Sequence, residues 1–180
     1  RPPSSRSDTP WDDDDRAYTD AVAFPERITL EPIGVVRSPY LQRHGTPRQP
    51  GMESAKELGL DSTIHLLPER VDAAALKDLA SFSHVWVISW FHLNGPRRRP
   101  LVRPPRGGEK RGVFATRAPH RPVPVGLSAV AILGVQGHVL SVRGLDLLDG
   151  TPVLDLKPYI PDFDAFPDAT RGWLDGPTEG

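Results

Sequence analysis

The chain has 180 residues, a length that suits one domain with short extensions better than two full domains. It contains 21 Pro, 16 Gly and no Cys, which favours a turn-rich fold and excludes disulfides, thiolate metal sites and cysteine nucleophiles. The net charge of −1 is unevenly spread: residues 97–121 carry nine Arg or Lys and one acid, and residues 146–180 carry eight acids and two bases. The basic block is typical of a polyanion-binding face, and charge alone leaves a solvated loop as the equal alternative.

The chain opens with a segment that predicts no fold of its own. Residues 1–27 are expected to form a disordered acidic tail, because Pro, Ser and the run Asp12–Asp15 accompany little apolar periodicity. The folded domain is predicted over residues 28–165, and its first strand lies around Ile33–Val36. That strand is expected to stop at Ser38-Pro39, since proline cannot donate to a sheet ladder.

A long loop from Tyr40 to about Leu60 is predicted to precede a second strand at Ile64–Leu67. Apolar residues at 3-4 spacing then predict one good helix over Val71–Phe82. The segment His84–Phe91 is apolar on both faces, which indicates a central buried strand.

The basic, proline-broken loop 93–111 follows, and then a predicted strand at Gly112–Thr116. A hairpin is predicted from Leu127–Val135 and His138–Arg143, turning at Gln136-Gly137, with another strand at Val153–Leu156. Residues 166–180 are interpreted as a C-terminal tail.

About seven short strands and one or two short helices predict a mainly β fold, a small β-barrel. The sequence has no G-x-G-x-x-G between a strand and a helix, no phosphate-binding P-loop, no G-x-S-x-G and no H-E-x-x-H. A Rossmann fold is therefore excluded, and no metal site is expected. No apolar run reaches the 18 residues that a membrane span requires.

Four segments are dense in functional side chains and poor in regular structure. They are Ser38-Pro39-Tyr40 with Thr46-Pro47-Arg48-Gln49-Pro50; Phe82-Ser83-His84 with Trp86 and Phe91-His92; Gly112-Val113-Phe114-Ala115-Thr116-Arg117-Ala118-Pro119-His120-Arg121-Pro122 with Gly126-Leu127-Ser128; and Asp146-Leu147-Leu148-Asp149-Gly150-Thr151-Pro152-Val153-Leu154-Asp155-Leu156-Lys157-Pro158-Tyr159. In this order they resemble the signature of the YaeB family, the tRNA N6-threonylcarbamoyladenosine methyltransferases, over roughly residues 30–165.

The resemblance implies a β-barrel that binds S-adenosylmethionine outside a Rossmann framework and forms a homodimer with cofactor sites near the subunit interface. The reaction it implies is methylation of N6 on the threonylcarbamoylated adenosine just 3′ of a tRNA anticodon. The implied partner is that tRNA, the implied location is the cytoplasm, and no membrane is involved.

The cofactor site is carried over from the family position by position. The residues at the matching positions are Arg48, Gln49, Pro50, His92, Arg117, Leu127, Gly144, Leu145 and Asp146, and Arg143 is added through its main chain. The residue types fit, since Arg117 could pair with the cofactor carboxylate or a phosphate, and Asp146 could accept ribose hydroxyls or steady the sulfonium. For His92, a loop residue outside the site is an equal alternative.

Methyl transfer to a carbamoylated nitrogen would be helped by a base, because that nitrogen's lone pair is delocalised. The candidates for catalysis are Asp149, Lys157 and Tyr40, and the candidates for tRNA contact are Arg121, Arg106, Arg103 and Tyr159. The alternatives are a simple Asp-Gly turn at Asp149 and a surface ion pair between Lys157 and Asp155.

One position departs from the family pattern. The family motif reads Arg-Pro-Asn-Pro-Ile-Gly, whereas this chain has Val123 at the Asn position, and valine cannot make an amide's hydrogen bonds. The sequence therefore leaves two further functions open: a non-catalytic RNA-binding barrel, and a methyltransferase for another substrate.

Overall fold

The computed structural model describes residues 26–42, 46–47, 61–95, 99–105 and 108–175. Within these ranges the chain forms eight β-strands: β1 (Gly34–Arg37), β2 (Ser62–Leu66), β3 (His84–Trp90), β4 (Leu101–Val102), β5 (Arg111–Gly112), β6 (Val125–Gln136), β7 (Val139–Arg143) and β8 (Pro152–Pro158). The helical elements of the same ranges are one α-helix, α1 (Pro161–Asp164), and the 3₁₀ turns Ala73–Leu76, Leu79–Ser81, Val113–Ala115 and Gly172–Asp175.

Six strands close into a barrel in the order β1-β2-β7-β6-β3-β8, and every neighbouring pair is antiparallel. The barrel closes where Gly34 of β1 pairs with Val153 of β8. β4 and β5 form a separate two-stranded sheet. The prediction of a mainly β barrel that is not a Rossmann fold is confirmed.

Strand alternation builds the core. In β3, Val85 and Val87 are fully buried inside the barrel, whereas Trp86 and Ile88 lie on its half-buried outer face. The same period of two gives each barrel strand an apolar inward face. The buried core residues are Val36, Ile64, Leu66, Leu76, Val85, Val87, Val130, Leu140, Val142, Leu145, Leu147 and Val153.

The longest strand, β6, bends to serve two neighbours. Its first half pairs with β3, and from Ala131 onward it pairs with β7. The register with β7 shifts between Ile132 and Gly134, and the register of β3 with β8 shifts between Ile88 and Ser89. Such irregularities add the local bend that a small barrel needs to close.

The alternating strand directions separate the connections into two groups. β1, β3 and β7 end, and β2, β6 and β8 begin, at one end of the barrel, which we call the loop end. The connections 38–61, 91–124 and 144–151 all leave from it. The other end, called the turn end, carries the connection 67–83 and the tight turn at Gly137-His138.

Two elements differ from the prediction. The helix expected over Val71–Phe82 is wrong: the segment forms two 3₁₀ turns, because Asp78 adopts the left-handed conformation with φ of 65° and separates them. The strand expected at Gly112–Thr116 is also wrong. β5 ends at Gly112, and the next residues form the 3₁₀ turn Val113–Ala115.

The C-terminal segment returns across the barrel to the loop end. The Trp173 indole N–H donates to the carbonyl oxygen of Ala115 at 2.8 Å, and the Arg111 guanidinium lies 5.6 Å from the centre of the indole ring. Part of the predicted C-terminal tail thus packs on the connection 91–124. Among the described residues, no helix has the length and apolar character needed to cross a membrane.

Candidate functional site

Asp146 is the acidic group of the loop end. It follows β7, and its carboxylate accepts a 2.6 Å hydrogen bond from the hydroxyl of Ser128, a buried residue on the inward face of β6. Burial raises the pKa of the Asp146 carboxyl, and the Ser128 hydrogen bond and the charge of Arg117 partly offset that rise. The carboxylate is thus a strong acceptor in a partly dry setting.

Tyr40 places a phenol near this carboxylate. The side chain is buried, and burial followed by the Asp146 charge raises its pKa, so the hydroxyl stays protonated at neutral pH. Its oxygen is buried without a hydrogen-bond partner among the residues that the structure describes. A buried hydroxyl left without a partner costs about 1–3 kcal/mol, so a ligand that supplies one would gain affinity here.

Asp149 connects the loop that follows β1 with the loop that follows β7. Its carboxylate accepts from the Ser38 backbone N–H at 3.1 Å and lies 3.5 Å from the Arg37 guanidinium. Its own backbone N–H donates to the Tyr40 carbonyl oxygen at 2.8 Å, and the Ser38 hydroxyl donates to the carbonyl oxygen of Leu147. Asp149 therefore holds Tyr40 in place, and its role as a base remains a prediction.

The segment after β5 brings cations to the same end. Arg117 is exposed and close enough to Asp146 to affect its pKa. Arg121 is half-buried and donates to the carbonyl oxygens of Thr116 and Ala118 at 3.1 and 3.3 Å. Arg103 is exposed between β4 and β5.

The stretch after β7 is shaped by one backbone conformation. Gly144 has φ of 85°, which glycine adopts without strain, and the resulting turn buries Leu145 in the core. Leu145 can therefore offer a ligand only its main chain. The Arg143 side chain is exposed and forms an ion pair with Asp61 at 2.8 Å, so its predicted role is likewise left to its main chain.

Leu127 and His92 flank the site without entering the barrel. Leu127 lies on the outer face of β6, opposite Ile88, and 57% of its surface is exposed. His92 is exposed just after β3 at the loop end. Both are exposed, and their contact with a cofactor stays a prediction.

Two predicted residues lie elsewhere. Lys157 and Tyr159 stand at and just beyond the C-terminal end of β8, toward the turn end, and Asp149 precedes the other end of that strand. Lys157 pairs with Asp155 at 3.1 Å, and Tyr159 packs on Trp86 with ring centres 5.4 Å apart. The strand from Pro152 to Lys157 alone covers about 17 Å, so the structure does not bring these two candidates together within one subunit.

Four predicted site residues, Arg48, Gln49, Pro50 and Arg106, lie outside the described residues, as does most of the predicted acidic tail. Their roles stay predictions. Sequence reasoning missed Ser128 as the partner of Asp146. Its signal was a polar residue on the same strand face as Gly126 and Val130, both of which are buried.

The loop end has the chemistry of a nucleoside site. Asp146 can accept hydrogen bonds from hydroxyls, Tyr40 can donate one, and Arg117 can pair with a carboxylate or phosphate. This set fits S-adenosylmethionine, which carries ribose hydroxyls, a carboxylate and a cationic centre. Among the described residues no group of three or more metal-ligating side chains is close enough to hold a metal.

A closed six-stranded antiparallel barrel with a polar site built by its long loops defines a non-Rossmann ligand-binding domain. The sequence model of TrmO_N, the tRNA-methyltransferase O N-terminal domain, matches residues 35–165. The chain belongs to this family, so the resemblance inferred from the four motifs is confirmed.

Curated relatives and a solved structure support the same family. The chain is 50% identical to the probable S-adenosyl-L-methionine-binding protein of Methanothermobacter thermautotrophicus, covering 77% of this chain and 94% of the relative. It is 42% identical to the tRNA (adenine(37)-N6)-methyltransferase of Escherichia coli, covering 80% of this chain and 63% of the relative. The crystal structure of TrmO from Pseudomonas aeruginosa matches with 40% identity and a TM-score of 0.68, covering 84% of this chain and 64% of that one.

Proposed function

We propose that the protein is an S-adenosylmethionine-dependent tRNA methyltransferase that methylates N6 of the threonylcarbamoylated adenosine beside the anticodon. One observation carries the proposal: Tyr40, Asp146 and Arg117 converge at the loop end of a TrmO_N-family barrel. Relatives named as methyltransferases of adenine(37) in tRNA support the same activity.

The protein's own residues would bind and orient the methyl donor. Asp146 would accept from the ribose hydroxyls, Arg117 would pair with the amino-acid carboxylate, and the Tyr40 hydroxyl would gain its partner. The main chain of Gly144 and Leu145 would face the adenine. When bound, S-adenosylmethionine supplies an electrophilic methyl group on a sulfonium.

The nucleophile needs help that positioning alone does not give. The carbamoyl group withdraws electron density from N6, so removing its proton or stabilising the resulting negative charge would speed the transfer. Of the three candidates, Asp149 and Tyr40 lie at the loop end, whereas Lys157 lies toward the opposite end. Tyr40 is protonated and suits a hydrogen-bond donor, which leaves Asp149 as the base.

Asp149→Asn and Lys157→Met separate these roles. We expect Asp149→Asn to lower kcat about a hundredfold, within the range that general-base catalysis contributes, and Lys157→Met to leave kcat within twofold. Asparagine retains an acceptor for the Ser38 N–H, so the loop is expected to hold. The checks are single-turnover methyl transfer and calorimetric cofactor binding. Near-wild-type turnover in Asp149→Asn, with cofactor affinity intact, would remove Asp149 as the base.

The activity itself is tested in two steps. S-adenosylmethionine at 100 times its Kd would stabilise the protein by about 2.7 kcal/mol, which corresponds to a rise of about 5–10 °C in Tm. Methyl transfer from labelled donor is then measured on tRNA with and without the threonylcarbamoyl group. Transfer only to the modified tRNA is the expected result. Cofactor binding with transfer to neither RNA indicates another substrate, and no cofactor binding indicates a non-catalytic barrel.

We also propose a homodimer. The outer face of β3 and β6 presents Trp86, Ile88, Leu127 and Ala129 side by side, an apolar strip across two paired strands that is partly exposed. Apolar patches of this kind are commonly covered by a partner. Sedimentation equilibrium at micromolar concentration would give twice the chain mass, and a monomer mass throughout would refute the dimer.

The tRNA substrate class supports a cytoplasmic location, which cell fractionation would test.

A further inference from the structure

We propose that Phe114 and Arg121 form a stacking platform for one unpaired base of the RNA loop, beside the methyl-transfer site. The inference rests on the proposed function, since it names where that substrate is held. Phe114 stands out because 79% of its surface is exposed, although it directly follows buried Val113 in a 3₁₀ turn.

The Phe114 ring borders an open cleft. The cleft has a volume of about 600 Å³, and its lining residues are Arg99, Pro100, Gly112, Val113, Phe114, Ala115, Pro122 and Val123. The Arg121 guanidinium lies 5.9 Å from the centre of the Phe114 ring, within the range of a cation–π contact. A flat aromatic or heterocyclic group in the cleft therefore meets the Phe114 ring and apolar walls, with the Arg121 guanidinium beside that ring.

Hydrogen bonds of the neighbouring residues and of Arg121 fix the position of the platform. The Val113 N–H donates to the Pro100 carbonyl oxygen at 2.9 Å, and Val113 is buried. Ala115 accepts the Trp173 indole N–H on the other side of the 3₁₀ turn. Arg121 is fixed by its two bonds to backbone carbonyls. A preorganised platform loses little side-chain freedom when a ligand stacks on it.

Charge decides which flat group the cleft suits. The described residues of the segment 99–121 include six cations, Arg99, Arg103, Lys110, Arg111, Arg117 and Arg121, and one acid, Glu109. Such a field attracts the phosphates of a nucleic acid and disfavours a cationic partner. An apolar peptide would use the walls of the cleft and leave these charges without a counterpart.

The location fits a base next to the reacting one. Phe114 is three residues from Arg117, at most about 10 Å of chain, and Arg117 is the cation that acts on Asp146. Single-stranded RNA loops are recognised by bases that leave their stack and lie on aromatic rings and guanidinium planes. A base held on Phe114 would thereby fix the loop while its neighbour enters the methyl-transfer site.

The test compares two exposed phenylalanines. Phe114→Ala removes the platform, and Phe163→Ala is the matched control, because Phe163 is 74% exposed on α1 and does not line the cleft. The probe is an anticodon stem-loop RNA, with 2-aminopurine placed in turn at each loop position that flanks the target adenosine. Affinity is measured by fluorescence anisotropy, stacking by 2-aminopurine quenching, and cofactor binding by calorimetry.

We expect Phe114→Ala to weaken RNA binding about ten- to a hundredfold and to abolish quenching at one flanking position. Phe114→Trp should retain both, Phe163→Ala should match the wild type, and cofactor affinity should be the same in all variants. Equal RNA affinity in Phe114→Ala and Phe163→Ala would overturn the platform and leave the proposed function standing. A wild-type protein that binds the cofactor but no RNA would overturn both.

Discussion

Asp146→Asn is expected to raise the melting temperature of the ligand-free protein at pH 7 while weakening S-adenosylmethionine binding about tenfold to a hundredfold. The two effects have one cause. Burial raises the pKa of this carboxyl above its ordinary value of 3.8, so the folded protein holds a charge that its surroundings disfavour. A neutral amide removes that penalty, and it also removes charge-assisted hydrogen bonds of about 1.5–3 kcal/mol to a ligand.

The pH dependence of the melting temperature follows from the same raised pKa. Since the folded-state pKa is raised, Asp146 favours folding below its unfolded pKa and loses that contribution as pH rises through the folded value. The variant and the wild type should therefore melt together well below pH 3.8, where both groups are neutral. At pH 7 they should separate, with the variant melting at the higher temperature.

Calorimetric melting from about pH 2 to pH 8 and titration with the cofactor measure both effects. Asp168→Asn, an exposed carboxylate in the segment after α1, is the control and should change neither. A lower Tm at pH 7 in Asp146→Asn, or an unchanged cofactor Kd, would contradict the assignment.

Gly34→Ala is expected to destabilise the barrel by about 3 kcal/mol, a loss of about 6–12 °C in Tm. Gly34 sits where β1 is paired on both sides, with Leu66 of β2 and Val153 of β8. An added Cβ would lie 2.7 Å from the His65 carbonyl oxygen and 3.2 Å from the Leu66 Cα. Because these are backbone atoms of a paired strand, they cannot move without breaking the closure of the barrel.

Gly112→Ala is the matched control for that substitution. A Cβ at Gly112 would meet no atom within 4 Å, and its φ of −56° suits any residue. Chemical denaturation of both variants measures the difference in the free energy of unfolding. Equal stability of Gly34→Ala and Gly112→Ala would show that β1 tolerates a methyl group at Gly34, and it would contradict the expected clash with the backbone of β2.

The strands were the predictable part of the fold. The β-branched and aromatic alternation of His84–Phe91 gave β3 within one residue, and Gly137 marked the turn of the β6–β7 hairpin. The helix over Val71–Phe82 failed because its apolar spacing was not matched by burial. Of its apolar residues only Leu76 is buried, and Asp78 breaks the chain with a left-handed conformation that spacing does not reveal.

The candidate site was predictable only in its residue types. Asp146, Arg117 and Tyr40 come from three different connections, and the structure brings them to one end because neighbouring strands alternate in direction. The sequence could not show that Lys157 lies far from Asp149, since both belong to one motif. Their separation arises because β8 begins after Asp149 and runs from the loop end toward the turn end, where Lys157 lies.

The grouping of the connections 38–61, 91–124 and 144–151 at the loop end has an evolutionary consequence. Strand register and barrel closure are fixed by residues that these segments do not supply, and of the buried core residues only Leu145 and Leu147 come from them. Substrate range could therefore diverge through the exchange of one connection at a time, while the strands of the barrel stay the same. A chimaera that carries a relative's 91–124 segment on this scaffold would inherit the donor's preference among nucleic acids and the recipient's thermal tolerance.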